Sequence, residues 1–281
     1  MTRRDVVLLI LLGAAWGAAY PLTAVVLREL STPAVVVART ALSAIVLLPF
    51  AARSGTLRAV RARPAGVLVA ALLQVTIPLV LFTAGQRYIS AGLAGILVAS
   101  QPVWTAIMTA IVDRTFHPRQ FAGVFTGLCG VALLFLRNIH IGGTSGLAAA
   151  LLLAGAVFFA AGALWIERVI PEVPPLATAT AAMIISAIAL APFAAMTGWH
   201  TPHLSTVVWL VILGGASTGG GLVLFYALVQ RIGAVRANLA AYLAPGFAVA
   251  YGAVLLGERV SLQALAGLVL ILTGSYIAVR R

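Results

Sequence analysis

One charge stands well inside an apolar stretch of this chain. Arg39 lies about six residues, roughly 9 Å at helical rise, beyond Pro33, and an ionisable group at that depth is a functional candidate by default. A guanidinium there can receive a carboxylate. It can equally bond free backbone carbonyls, or extend its head towards the interface, and so serve structure alone. The remaining polar chemistry inside the apolar runs falls to neutral groups. Ser100, Gln101 and Trp104 share a helical face by their spacing of three and four, as do Trp16 and Tyr20 beside Gly13 and Gly17. An aromatic ring with a polar neighbour suits a pocket for an amphipathic molecule, and plain helix packing is the competing reading. Trp199 and Trp209, near the ends of their runs, read as interfacial belt residues, and Trp165, close to Glu167, fits either reading.

Several chemistries are excluded. Asp5, Glu29, Asp113, Glu167, Glu172 and Glu258 all fall at the ends of apolar runs or between them, so no carboxylate is placed to carry a proton or hold a lipophilic cation at mid-depth. His117, His140, His200 and His203 lie in the joints, with no metal-ligand spacing inside the runs. Ser100, Ser186 and Ser217 have no base beside them in sequence, so a hydrolase within the apolar runs is not expected, nor is any metal or cofactor. The one cysteine, Cys129, rules out a disulfide within the chain and reads as a small packing residue. The net charge of +12 comes entirely from arginines scattered between apolar runs; without a basic stripe they do not describe a nucleic-acid surface.

A chain that is 62% hydrophobic and 9% charged has no polar surface to cover itself, so its solvent is the bilayer. Ten runs approach the roughly 20 residues that a helix needs to cross: 6–27, 33–52, 66–86, 90–112, 120–136, 146–166, 175–197, 205–229, 236–256 and 261–279. The first is too long for a signal-peptide core. The second five repeat the first five. Leu79-Val80-Leu81-Phe82 recurs as Leu222-Val223-Leu224-Phe225, Leu48-Pro49-Phe50 as Ala191-Pro192-Phe193, Pro102 as Pro245, and Gly123/Gly130 as Gly267/Gly274, all at nearly one offset. The expected units are residues 1–140 and 141–281.

Loop arginines orient the chain. With the N-terminus in the cytoplasm, Arg3, Arg4, Arg53, Arg58, Arg61, Arg63, Arg114, Arg119, Arg168, Arg231, Arg236, Arg280 and Arg281 lie inside, and Arg28, Arg87, Arg137 and Arg259 outside, as the positive-inside rule requires. Both termini are then cytoplasmic. Five spans per unit is odd, so the second unit runs through the membrane in the opposite direction. Such an inverted pair is the plan of a carrier whose central site opens to either side in turn.

Trp16-Gly17, Arg39, the stretch from Phe82 through Gln86, Ser90, Ala91 and Gly92 to Pro102, and Leu255-Leu256-Gly257-Glu258-Arg259 resemble the drug/metabolite transporter superfamily, specifically its ten-helix EamA-type members, and most of all the bacterial YddG-type amino-acid exporters. The resemblance covers essentially the whole chain and implies an all-α, basket-like fold around a central cavity. In the first unit Asp113-Arg114 stands where the second has Gly257-Glu258-Arg259. Sites of this kind fall where helices are interrupted at matching positions, which selects Pro78 with Gly221, and marks Pro102 and Pro245 as matched hinges. A pocket of Trp16, Tyr20, Phe82, Trp104, Phe225, Tyr226 and Tyr242, with the amides of Gln86 and Gln101, Ser100 at its edge and Arg39 for a carboxylate, suits an apolar or aromatic amino acid. The expectation is a bacterial inner-membrane exporter of small amphipathic metabolites, amino acids first, acting as a monomer with higher assemblies left open. Exporters of other metabolites or drugs, or a passive small-solute channel, are the alternatives.

Overall fold

Prolines begin many of the helices. Pro33, Pro64, Pro78, Pro102, Pro118 and Pro175 all fall at the first or second helical position, where a missing N–H costs nothing and a fixed φ favours the turn. The computed structural model describes residues 1–89, 91–135, 145–197, 202–256 and 262–279. Ser90, Arg137, His140, Trp199, His200, Gly257-Glu258-Arg259, Arg280, Arg281 and the junction at 140/141 lie outside the described residues. All regular structure among those described is helical.

Among the described residues seven segments are long and apolar enough to cross a membrane: span 1, Arg3–Val26; span 2, Thr32–Arg53; span 3, Pro64–Gln86; span 4, Ala94–Asp113; span 6, Gly146–Val169; span 7, Pro175–Met196; and span 8, Leu204–Ile232. Spans 5, 9 and 10 contain helices Pro118–Phe135, Ala240–Leu256 and Leu262–Val279, of 18, 17 and 18 residues, each about 26 Å long at helical rise and so close to the thickness of the hydrocarbon core. Large apolar side chains such as Ile45, Phe50, Ile111, Ile188, Phe193 and Val269 are exposed along these helices, which only lipid can cover. Cys129, expected to pack, is also exposed; it points outwards because the glycine face of its helix takes the inward side.

That face settles the relation of the two units. A Cβ at Gly130 would lie 2.7 Å from both Gly267 O and Ile271 N, and one at Gly123 would lie 2.6 Å from Gly274 O, so spans 5 and 10 meet backbone to backbone. Contacts running from Gly123–Gly274 to Gly130–Gly267 make the pair antiparallel. Since Gly123 corresponds to Gly267 and Gly130 to Gly274, the two contacts are one contact seen twice, as a two-fold axis between inverted units demands.

Four interruptions break the spans, and those of spans 3 and 8 fall at matching places. Span 3 widens into a π-helical turn at Leu72–Thr76 before Ile77–Gln86, and span 8 does so at Ile212–Gly220 before Gly221–Ile232. In each a threonine hydroxyl bonds the carbonyl five residues back: Thr76 Oγ1 to Ala71 O at 3.2 Å and Thr218 Oγ1 to Leu213 O at 2.7 Å. Such bulges recur at functional sites. Spans 4 and 9 are not the continuous helices expected at 90–112 and 236–256. Span 4 is Ala91–Val98 followed by Gln101–Asp113, and span 9 is Ala234–Asn238 followed by Ala240–Leu256. In span 4 the cause is Pro102, whose ring cannot face the Val98 carbonyl four residues back. The chain turns at Ala99–Ser100, with Ser100 N and Oγ both on Leu97 O at 3.2 and 2.6 Å. In span 9 the break falls at Leu239, six residues ahead of Pro245, which itself lies within a helix.

The π turns are exchanged between units. Span 2 packs on the π turn of span 8, where a Cβ at Gly214 would lie 2.8 Å from Arg39 O, and Ser43 Oγ donates to Gly214 O at 2.6 Å. Its counterpart, Ser186 in span 7, meets Thr76 in the π turn of span 3 at 2.7 Å. The ends follow the same symmetry. Glu29 accepts from His203 N and Thr206 Oγ1 at 3.0 and 2.8 Å, which hold its carboxyl below the usual carboxylate range, so this tie is lost only at acid pH. At the equivalent place on the other face Glu172 pairs with Arg63 at 2.8 Å.

Candidate functional site

The interrupted helices enclose a cavity of about 90 Å³, counted as space for the centre of a water molecule. Its walls come from spans 1, 2, 3, 4, 6, 8 and 9. Trp16, Tyr20, Leu79, Phe82, Val98, Phe159, Leu222 and Ala241 give it an apolar body, and Thr23, Arg39, Gln74, Thr83, Gln86, Gln101, Ser217 and Thr218 its polar groups. The apolar wall obeys the repeat: the offset that carries Phe82 to Phe225 carries Trp16 to Phe159, Leu79 to Leu222 and Val98 to Ala241. The cavity therefore straddles the two-fold axis. The polar groups obey it less well, since the same offset takes Arg39, Tyr20 and Gln101 to alanines.

Arg39 is buried, and both Nε and Nη2 donate to Thr218 Oγ1, at 3.1 and 2.8 Å. Because the Thr218 hydroxyl spends its proton on Leu213 O, its oxygen can only accept, which fixes the guanidinium edge-on. Beneath lies an aromatic layer. Trp16 meets Phe159 edge to face with centroids 5.6 Å apart, and Phe225 lies 5.3 Å from Trp16 and 5.1 Å from Phe159. Gly221 makes room for it, as a Cβ there would sit 2.8 Å from Trp16 Nε1. Gly155 and Gly162 do the same for Phe82 and Gln74.

The polar lining is left unsatisfied. Gln74 Nε2 and Oε1, Thr83 Oγ1, Gln86 Oε1 and Gln101 Oε1 are buried with no hydrogen-bond partner among the described residues. Leaving such groups unpaired is costly, and their gathering at one cavity marks a place where a polar solute or water completes the bonding.

Of the residues selected from sequence, Trp16, Tyr20, Arg39, Phe82, Gln86 and Gln101 line this cavity. Pro78 and Gly221 stand directly after the two π turns, behind the wall. Phe225 and Tyr226 are fully buried below it. Ser100 and Trp104 turn to each other, Trp104 Nε1 donating to Ser100 Oγ at 3.2 Å, so that they brace the break in span 4. Tyr242 packs into span 5 against Gly127 and donates to Val124 O at 2.6 Å. Trp165 likewise bonds Gly66 O at 2.9 Å, a structural contact. Gln74, Phe159 and Thr218 were not selected, although an amide within an apolar run and the repeat partner of Trp16 were both visible signals.

A second opening, of about 680 Å³, lies on the face where span 1 begins and is lined by Asp113, His117, Arg119, Glu167, Arg168 and Arg236 among others. Arg168 grips Asp113 with two bonds of 2.7 and 2.9 Å, and Glu167 accepts from Ala234 N at 3.1 Å beside Gly233, whose φ of +86° suits glycine alone. Between the openings Phe225, Tyr226, Leu228, Val229, Ala237 and Ala240 are all at most 1% exposed, a seal about 10 Å deep from Phe225 to Ile232 at helical rise. The cavity instead extends the other way, to Thr23 near the end of span 1 and Gln86 at the end of span 3.

An interrupted, inverted repeat around a central cavity closed off on one face is the plan of a membrane transport protein. The chain belongs to the EamA-like transporter family, whose pattern matches residues 4–136 and again 146–280. It is similar to a probable amino-acid metabolite efflux pump of Escherichia coli strain K12, with 26% identity over 99% of this chain and 96% of that one, and to a protein of the same description in Salmonella typhimurium strain LT2, with 29% identity over 71% of each. The uncharacterized transporter YvbV of Bacillus subtilis strain 168 is 26% identical over 96% of this chain and 90% of that one. A solved crystal structure shares the fold at a TM-score of 0.79, with 18% identity, covering 96% of this chain and 93% of that one.

Proposed function

We propose that the protein exports small amphipathic metabolites across the bacterial inner membrane by alternating access, with apolar or aromatic amino acids as its leading substrates and with both termini in the cytoplasm. The observation that carries this reading is the set of unpartnered amides gathered with one buried guanidinium inside an aromatic cavity on the repeat axis. Such a site offers donors to a carboxylate, acceptors to an ammonium, and rings to an apolar side chain. The efflux pumps among its relatives support amino acids, and the arginine excess supports the orientation. In that orientation the cavity lies towards the periplasm and the seal below Phe225 faces the cytoplasm, as expected of an outward-facing form.

The repeat also supplies the opposite form. Gln230 Nε2 donates to Val173 O at 2.7 Å, tying span 8 to the joint between spans 6 and 7 on the sealed side. Its counterpart Gln86 lines the cavity with Oε1 unpartnered, and the counterpart of Val173 is Leu30. In the inward-open form Gln86 bonds the Leu30 carbonyl and Gln230 is released. A hydrogen bond of about 0.5–1.5 kcal/mol corresponds to a roughly two- to tenfold change in population. Cysteine placed at Leu222, in a chain with Cys129→Ser, tests this by labelling from each side of the membrane. Gln230→Ala is expected to raise cytoplasmic labelling several-fold and Gln86→Ala to lower it; equal labelling in all three chains discards the latch.

A further inference from the structure

We infer that Arg39 makes the cavity cationic and that the ligand is selected for its carboxylate, a positive charge on the ligand being dispensable; this deepens the amino-acid reading above and rests on it. Among the described residues Arg39 is the only charged group on the cavity wall. Five of the six acids are described, and each is committed at an end of a span: Asp5 to Arg231, Glu29 to His203 and Thr206, Asp113 to Arg168, Glu167 to Ala234 N, and Glu172 to Arg63. Among the described residues the only partner of the Arg39 guanidinium is one neutral hydroxyl, which occupies its Nε/Nη2 edge. The Nη1/Nη2 end of the fork remains, and that is the edge that matches a carboxylate with two parallel bonds.

The counting of charge then decides between ligands. A buried cation without a counter-ion is strongly unfavourable, and a carboxylate that neutralises it recovers that cost. A zwitterion does so in part, because its ammonium stays within the same low-dielectric space. No anionic side chain waits for that ammonium on the described wall; it meets only neutral oxygens, such as those of Gln74, Gln86 and Gln101. The repeat underlines the point, since the position matching Arg39 is Ala182 and the cation is supplied by one unit alone. The site therefore takes acids with a small apolar body, whether or not they also bear an amino group, and rejects the corresponding amides and amines.

Calorimetric titration of the purified full chain at neutral pH tests this with four ligands of one skeleton: leucine, 4-methylpentanoate, leucinamide and 3-methylbutylamine. Both carboxylates are expected to bind, and the amide and amine to bind at least tenfold more weakly. Arg39→Gln brings the acids down to the level of the amide. Arg39→Lys keeps the preference for acids with reduced affinity, and Thr218→Val, which frees the fork without altering charge, lowers acid affinity by a smaller factor. An amide or amine binding as tightly as its acid, or an acid preference that survives Arg39→Gln, overturns the inference. If leucine fails to bind and a metabolite of another skeleton binds instead, the amino-acid reading falls; the charge rule stands when that metabolite is anionic and falls with it when it is neutral or cationic. No binding of any anion overturns both.

Discussion

Replacing Gly130 with leucine should deprive the membrane of most of its folded protein. The Cβ alone would press on Gly267 O and Ile271 N at 2.7 Å, and both are backbone atoms of a helix that cannot rotate away as a side chain can. Overpacking of a core typically costs about 1–3 kcal/mol, and here the whole of span 10 must move off span 5 to relieve it. Gly130→Ala, which places the same Cβ and nothing more, should lie between the two. Thermal unfolding in detergent checks the series: the melting temperature is expected to fall from glycine to alanine to leucine. A leucine variant as stable as the parent would mean that spans 5 and 10 do not meet through their glycines, and the two-fold relation drawn from them would go.

A substitution at Gly221 should act on transport rather than on folding. Its Cβ would meet Trp16 at the far end of a side chain that faces the cavity, 2.8 Å away. That ring has open space to enter, so Gly221→Val relieves its clash by pushing the indole into the cavity. The expected result is a loss of transport of tenfold or more with a melting temperature near that of the parent, and a smaller loss for Gly221→Ala. Adding Trp16→Phe to Gly221→Ala, which removes the indole nitrogen nearest the new methyl, should recover part of the rate. Transport that survives Gly221→Val, or a variant that merely unfolds, would remove Trp16 from the cavity account.

Much of the architecture was legible because membrane helices advertise themselves by length, and because a duplicated gene leaves repeated words. The glycine pairs illustrate this. Their shared spacing named the repeat, and the same residues form the contact between the units. The breaks in spans 4 and 9 were hidden, since a turn of one or two residues inside an apolar run leaves hydropathy unchanged and only Pro102 hints at it. The π turns were equally silent; what showed was the proline or glycine that follows each. At the site, spacing placed Trp16, Tyr20, Gln86 and Gln101 on faces but could not say what those faces meet. Trp104 and Tyr242 have equal claims by residue type, yet one closes on Ser100 and the other on span 5. Gln74 was passed over because a single amide among aliphatic residues has no partner in sequence; its neighbours at the cavity come from other spans.

The proposed carrier exposes its central cavity to one side of the membrane at a time. Counterflow measures that directly. Proteoliposomes containing the purified protein, loaded with unlabelled leucine and diluted into a trace of labelled leucine, should accumulate label transiently above its external concentration, and uptake should saturate as external leucine is raised. Each inward trip of label then depends on an outward trip of the same site. Label that only equilibrates, at a rate proportional to concentration and indifferent to the internal load, would contradict alternating access and leave a passive pore.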